Sequence, residues 1–349
     1  MIRALAPLSV LAAICLAAPA GADGGAGAEI ARVRVGFDGH YKAGLWTPVE
    51  VTLRGGDGEV EGQVTLTVPD GDGVPASVSS PSENPCRLTP GEEASVLLYA
   101  RFGRVRSDLR VSYHNRDGVL VEKLFQAGSA EGDRSVFSGD VSSAKQRQLA
   151  EKRTSPQAIP PALAFGRQMI VVVGPDSEGV PEAVDALREP AQERTAVVTL
   201  DNLAELPDRW YGYEGVDLVV LSGSRPAIYI DSLPEGQKRI DARIAALRQW
   251  VRMGGTLLLA VGSQGQTLLG AGSPLAPLSP GKFQRIFSLR QTASLEAYCA
   301  SPAPMPRLGP GGESIELRVP QLTNVEGVVE VREGDLPLVV RRAVGFGQI

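Results

Sequence analysis

Six short polar residues fall where apolar runs give way to turns: Asp176, Asp201, Ser222, Ser224, Ser263 and Gln264. If those runs are parallel strands, all six lie beyond carboxyl ends, where loops diverge and free N–H groups line a crevice suited to a polar ligand. The same residue types also cap helices and close turns, which is their structural use. A serine hydroxyl in such a crevice attacks a carbonyl only when a neighbouring base takes its proton. Bases are scarce. The two histidines, His40 and His114, both lie in the N-terminal third, and no paired acidic motif stands near Ser263. The expectation is a site with no catalytic residue.

Metal and cofactor chemistry is equally thin. The cysteines are Cys15, Cys86 and Cys299, with no CxxC pair and no Cys/His cluster, so a structural zinc site is not expected. The turn after the first apolar run reads GPDSEG, from Gly174 to Gly179, which is neither a GxGxxG dinucleotide fingerprint nor a D-x-S-x-S cation loop. No cofactor is expected. An oxidising compartment permits a bridge between Cys86 and Cys299, and two separate thiols fit the sequence as well. Two aromatic groups remain: Tyr41 and Trp46, then Trp210, Tyr211 and Tyr213. Trp46 and Trp210 can stack on sugar rings, or the rings can pack on a sheet edge or an adjoining domain.

The elements that would position these groups divide the 349 residues into four parts. Residues 1–22 carry a cation at Arg3, an apolar stretch and small residues Ala20 and Ala22, the layout of a secretory signal. Cys15 follows Ile14 inside that stretch, which disfavours lipidation. Residues 29–137 alternate with period two, as in Val49, Val51, Leu53 and again in Val64, Leu66, Val68. That pattern predicts an antiparallel β-sandwich of immunoglobulin-like type. Residues 138–165 turn polar and then Pro-rich, predicting a short helix over 144–152 and an extended linker.

From residue 166 to 349 the period changes. Apolar runs at Met169–Val173, Ala196–Leu200, Leu218–Leu221 and Thr256–Val261 alternate with helical stretches, the clearest carrying Ile240, Ile244, Leu247 and Val251 on one stripe. Such alternation predicts an open, flavodoxin-like parallel sheet, followed by a β-rich C-terminal extension. Gly345 to Ile349 reads as the opening of a strand, so the sequence is expected to continue. No apolar run of eighteen residues follows the signal, so membrane contact is expected only through a segment beyond Ile349. A formal charge of −5 and the absence of Lys/Arg runs disfavour nucleic-acid binding.

The segment GGTLLLAVGSQGQTLLG, Gly254 to Gly270, preceded by DLVVLSG, Asp217 to Gly223, resembles the core of class I glutamine amidotransferase-like domains. In that family a strand ends in an elbow bearing a cysteine nucleophile, followed by glycine and a helix. Ser263 matches the nucleophile's place and Gly265 the following glycine, while Val261 stands where such elbows often have glycine. With cysteine replaced by serine and no imidazole nearby, the resemblance implies a degenerate site. The aromatic stretches are similar to exported bacterial proteins that join a β domain to an amidotransferase-like domain. That likeness implies a non-catalytic scaffold or binding protein of the envelope, with a protein or a glycan as partner.

Overall fold

The computed structural model describes residues 28–128, 158–187, 194–231, 233–300, 304–305 and 316–349. The signal segment, the helix expected over 144–152 and most of the linker lie outside the described residues.

The period-two stretch forms strands β1 (Ala28–Val35), β2 (Trp46–Gly55), β3 (Val60–Pro69), β4 (Pro75–Ser79) and β5 (Cys86–Leu88). It continues as β6 (Glu93–Arg101), β7 (Leu109–Asn115) and β8 (Gly118–Ala127). They build two antiparallel sheets, one ordered β1-β2-β6 and the other β4-β3-β7-β8, with β5 on β3. Val49, Val51 and Leu53 face Val64, Leu66 and Val111 across one apolar core, because alternate side chains point to the same side of a strand. The Tyr113 hydroxyl ends in that core and donates to Cys86 O at 2.9 Å; burial pushes its pKa up to about 12. The turn expected at Asn115–Gly118 is closed by Asn115 Oδ1, which accepts from the N–H groups of Asp117 and Gly118.

The described end of the Pro-rich stretch is no free linker. Ala158–Ile159, β9, pairs in parallel with β8, and Ile159 and Ala162 enter the core of the antiparallel sheets. Tyr41 Oη donates to Pro160 O at 2.8 Å. Pro160 and Pro161 keep this chain extended, and an extended chain at a sheet edge has no need of a proline N–H.

The second half contains β10 (Gln168–Val173), β11 (Thr195–Leu200), β12 (Leu218–Ser222) and β13 (Leu257–Ala260), all parallel and ordered β11-β10-β12-β13. Val171, Val172, Val173, Val219 and Val220 are fully buried, as strands covered on both faces require. Helix α1 (Val180–Asp185) follows β10, and α2 (Pro234–Arg252) connects β12 to β13. On α2 the predicted stripe of Ile240, Ile244, Leu247 and Val251 is buried, each side chain contributing about 1.5–3 kcal/mol. Gly254 ends the helix at φ 124°.

The strict alternation of strand and helix fails once. Between β11 and β12 the backbone makes only 3₁₀ turns, at Leu203–Glu205 and Trp210–Tyr213. Pro207, Gly212 and Gly215 interrupt any helical ladder in this segment. After β13 come a 3₁₀ turn (Gly262–Gln264) and the short α3 (Gly265–Leu269). The β-rich extension consists of antiparallel pairs: β14 (Lys282–Leu289) with β15 (Leu317–Thr323), β16 (Val328–Glu333) with β17 (Leu336–Arg341), and β18 (Ala343–Val344) with β19 (Gly347–Gln348). Helix α4 (Ala293–Tyr298) precedes β15. Gln348 forms a parallel bridge with Thr256, so β19 runs along the free edge of the four-stranded sheet. Among the described residues no helix is long and apolar enough to cross a membrane.

Candidate functional site

Strands β10 and β12 are neighbours whose connections leave in opposite directions along the sheet, which makes the gap between their carboxyl ends the topological switch point. Three side chains meet there. Ser222, fully buried at the end of β12, donates a hydrogen bond from its hydroxyl to the Glu178 carboxylate. Its oxygen accepts from Ser224 N at 3.2 Å. The Ser224 hydroxyl lies 2.8 Å from the same oxygen and donates to it, since the Ser222 proton is already committed. Tyr229 Oη donates to Ser222 O at 2.8 Å, and burial raises the phenol's pKa far above its ordinary value.

Local backbone geometry enforces this arrangement. Glu178 takes φ 53°, the left-handed region that a residue with a side chain adopts at a cost. Gly174 turns away from β10 at φ 135°, and a Cβ there would stand 2.6 Å from Ser222 Cβ. Asp176 is exposed on the same loop. Asp201, exposed after β11, donates its backbone N–H to Glu205 Oε1 at 3.1 Å. The structure thus brings Ser222 and Ser224 together with Glu178, a residue the sequence reading overlooked. The acidic turn after β10 and the Ser-x-Ser after β12 were its only signals.

Ser263 and Gln264 lie apart from this cluster on the 3₁₀ turn after β13. Ser263 is exposed, its φ is not positive, and no side-chain hydrogen bond reaches it among the described residues. A nucleophile elbow instead holds its serine on a sharp, strained strand-to-helix turn. Both imidazoles belong to the N-terminal half: His40, in the connection between β1 and β2, has Nδ1 3.1 Å from Asp38 O, and His114 sits in β7 opposite Gln63.

The aromatic groups build the joint between the two halves of the molecule. Trp46 and Tyr211 place ring centroids 5.7 Å apart, and Tyr99 meets Tyr211 edge-on at 5.0 Å. Arg101 lies over the Trp46 ring at 5.7 Å, and Trp210 packs edge-on against Tyr211 at 5.9 Å. Trp46 and Trp210 are half-buried. Phe37, from the turn after β1, joins the core of the parallel-sheet domain and meets Tyr213 at 6.1 Å.

Polar groups pin the same joint. Tyr99 Oη donates to Asp208 Oδ1 at 2.6 Å and accepts from the N–H groups of Asp208 and Arg209 at 3.0 and 3.1 Å. Burial first, then Asp208, holds this phenol neutral. Lys42, only 6% exposed, donates to Asp217 Oδ2 at 2.8 Å, and that oxygen also accepts from Met169 N at the start of β10. Arg34 bridges Glu50 of its own sheet and Glu205 of the other domain, the latter at 3.2 Å. The cleft enclosed by Arg34, Glu50, Leu206 and Arg243 has a volume of about 20 Å³. That is room for about one water and not for a ligand. The pairings that cross the joint are not visible in sequence, since Lys42 and Asp217, Tyr99 and Asp208, and Arg34 and Glu205 each lie more than a hundred residues apart.

Three comparisons bear on identity. A family described as a domain of unknown function, DUF8726, matches residues 30–127, which are the antiparallel sheets alone. No curated protein matches the chain. Among solved structures, the C-terminal domain of wzt is similar at 12% identity and a TM-score of 0.24, covering 30% of this chain and 76% of its own. A Paenibacillus cycloisomaltooligosaccharide glucanotransferase shows 10% identity and a TM-score of 0.24, with 66% of this chain and 27% of that one covered. A Bacteroides uniformis β-glucuronidase shows 10% identity and a TM-score of 0.22, with 65% and 31% covered. Scores this low establish neither fold nor function.

Proposed function

We propose that this chain is an exported, non-catalytic protein of the cell envelope that binds or scaffolds a partner, either a protein or a glycan. In this reading the two antiparallel sheets are an immunoglobulin-like sandwich. The order β11-β10-β12-β13 corresponds to the first four positions of a flavodoxin-like sheet, carrying a degenerate amidotransferase-like site. The observation that carries the reading is the placement of Ser263. Among the described residues the hydroxyl at the nucleophile's position is exposed, unstrained and without a base, while Ser222, whose hydroxyl meets the Glu178 carboxylate at the switch point, is fully buried.

Support for export comes from the signal-like residues 1–22. Support for binding comes from the joint, which holds the two domains as one platform through aromatic and charged contacts. The alternative is a serine-dependent hydrolase or amide-processing enzyme acting through Ser263. Treatment with a serine-directed phosphonate decides between them: the expected result is no labelling. Labelling that Ser263→Ala abolishes overturns the proposal. Osmotic-shock fractionation tests the compartment, with retention in the cytosol counting against export.

A further inference from the structure

We propose that the antiparallel-sheet domain is an intramolecular cap for the parallel-sheet domain: it stands in for the helix missing between β11 and β12, and the second domain depends on it for stability, whereas the first stands on its own core. Parallel strands need cover on both faces, which crossover helices ordinarily supply. The connection from β11 to β12 offers only 3₁₀ turns. The ring contacts, hydrogen bonds and ion pairs of the joint reach Glu205, Asp208, Arg209, Tyr211, Tyr213 and Asp217, all of which belong to that connection.

The two cores differ in a way that gives the dependence a direction. The core of the parallel-sheet domain takes in Phe37 and Leu163, both buried. Their backbones belong to the first domain: Phe37 N donates to His40 O at 2.9 Å, and Leu163 N to Tyr41 O at 2.7 Å. Phe37 meets Tyr213, whose ring centroid lies 5.5 Å from that of Trp250 on α2, so the borrowed ring continues an aromatic row into the long helix. Without the first domain, that row and the neighbours of Leu163 would face two unfilled sites, and a close-packed core loses stability with each such gap. The core of the antiparallel sheets, by contrast, takes in no described residue beyond Ala162. It is complete without the second domain.

Amide hydrogen exchange of the full chain, under conditions where reclosing outpaces exchange, tests this. The N–H groups of Val171 and Val219 report the second domain, and those of Val51 and Val111 the first. In the wild type, Val171 and Val219 are expected to be less protected than Val51 and Val111, since the second domain opens while the first stays closed. Phe37→Ala should lower protection at Val171 and Val219 by about a hundredfold, the loss that follows from emptying a buried phenylalanine site, and Phe37→Leu should lower it less. In both variants Val51 and Val111 should remain the better protected pair. A loss below about tenfold at Val171 and Val219 in Phe37→Ala overturns the proposal. So does exchange at Val51 and Val111 as fast as at Val171 and Val219 in any of the three proteins.

Discussion

Tyr99→Phe isolates one hydroxyl at the joint. The ring stays, so the edge-on contact with Tyr211 at 5.0 Å is preserved and the change removes only three hydrogen bonds. A bond to a carboxylate contributes about 1.5–3 kcal/mol, and a buried N–H left without an acceptor costs about 1–3 kcal/mol. Both figures need discounting, because the Asp208 side chain is 40% exposed and Arg209 is exposed, so water re-enters around them. The expected cost is about 2 kcal/mol, measured as a shift in the urea midpoint followed by tryptophan fluorescence and circular dichroism together. Tyr99→Leu should cost more, since it also removes the ring. In a double-mutant cycle with Asp208→Asn, a coupling of at least about 0.5 kcal/mol is expected. A loss below about 0.5 kcal/mol in Tyr99→Phe, with no coupling to Asp208, would refute the view that this hydroxyl joins the domains.

Four further outcomes follow from individual contacts. Gly174→Ala should lower the melting temperature and destabilise by more than about 1 kcal/mol, because the new Cβ meets Ser222 Cβ at 2.6 Å on a backbone at φ 135°; a neutral result would show that the switch point can relax. Lys42→Met should stay within about 1 kcal/mol of wild type, because Asp217 is 47% exposed and can rehydrate, whereas Lys42→Ala should cost more because the Lys42 stem, only 6% exposed, loses its packing. Iodoacetamide near pH 8 should alkylate exposed Cys299 before half-buried Cys86, whose thiol burial pushes up, and raising the pH should close the gap in a mass-spectrometric time course. Ser263→Ala should leave stability within about 0.5 kcal/mol of wild type by thermal melting, as expected of an exposed side chain without partners.

Much of the architecture was legible because it rests on local periodicity. Alternation at Val49–Leu53 and Val64–Val68 can serve only a half-buried strand, and the unbroken run at Met169–Val173 suits one covered on both faces. The spacing of Ile240, Ile244, Leu247 and Val251 made α2 certain to present one apolar stripe. The connection from β11 to β12 departs from a regular βα unit because Pro207 and the nearby glycines leave only 3₁₀ turns there. The described end of the Pro-rich stretch is extended, as its prolines imply, but its pairing with β8 was not legible, since extended backbone suits a linker and an edge strand such as β9 equally.

The candidate site divides in the same way. Residue types and positions after each strand were readable, so Ser222, Ser224, Asp176, Asp201, Ser263 and Gln264 could all be named. Which of them meet could not be read, because contact between Glu178 and Ser222 depends on two loops brought together by β10 pairing with β12. Likewise Trp46, Tyr99 and Tyr211 looked alike as aromatics in search of a role until the docking of two domains set them against one another. By itself the sequence determined the strands, the long helix and the poverty of bases around Ser263, since backbone periodicity and composition are properties of the chain. Tertiary structure alone decided which carboxylate holds Ser222, which hydroxyl joins the domains and which acid of the second half Arg34 reaches. Those outcomes depend on distances between residues that are remote along the chain, and such distances exist only once the sheets have packed.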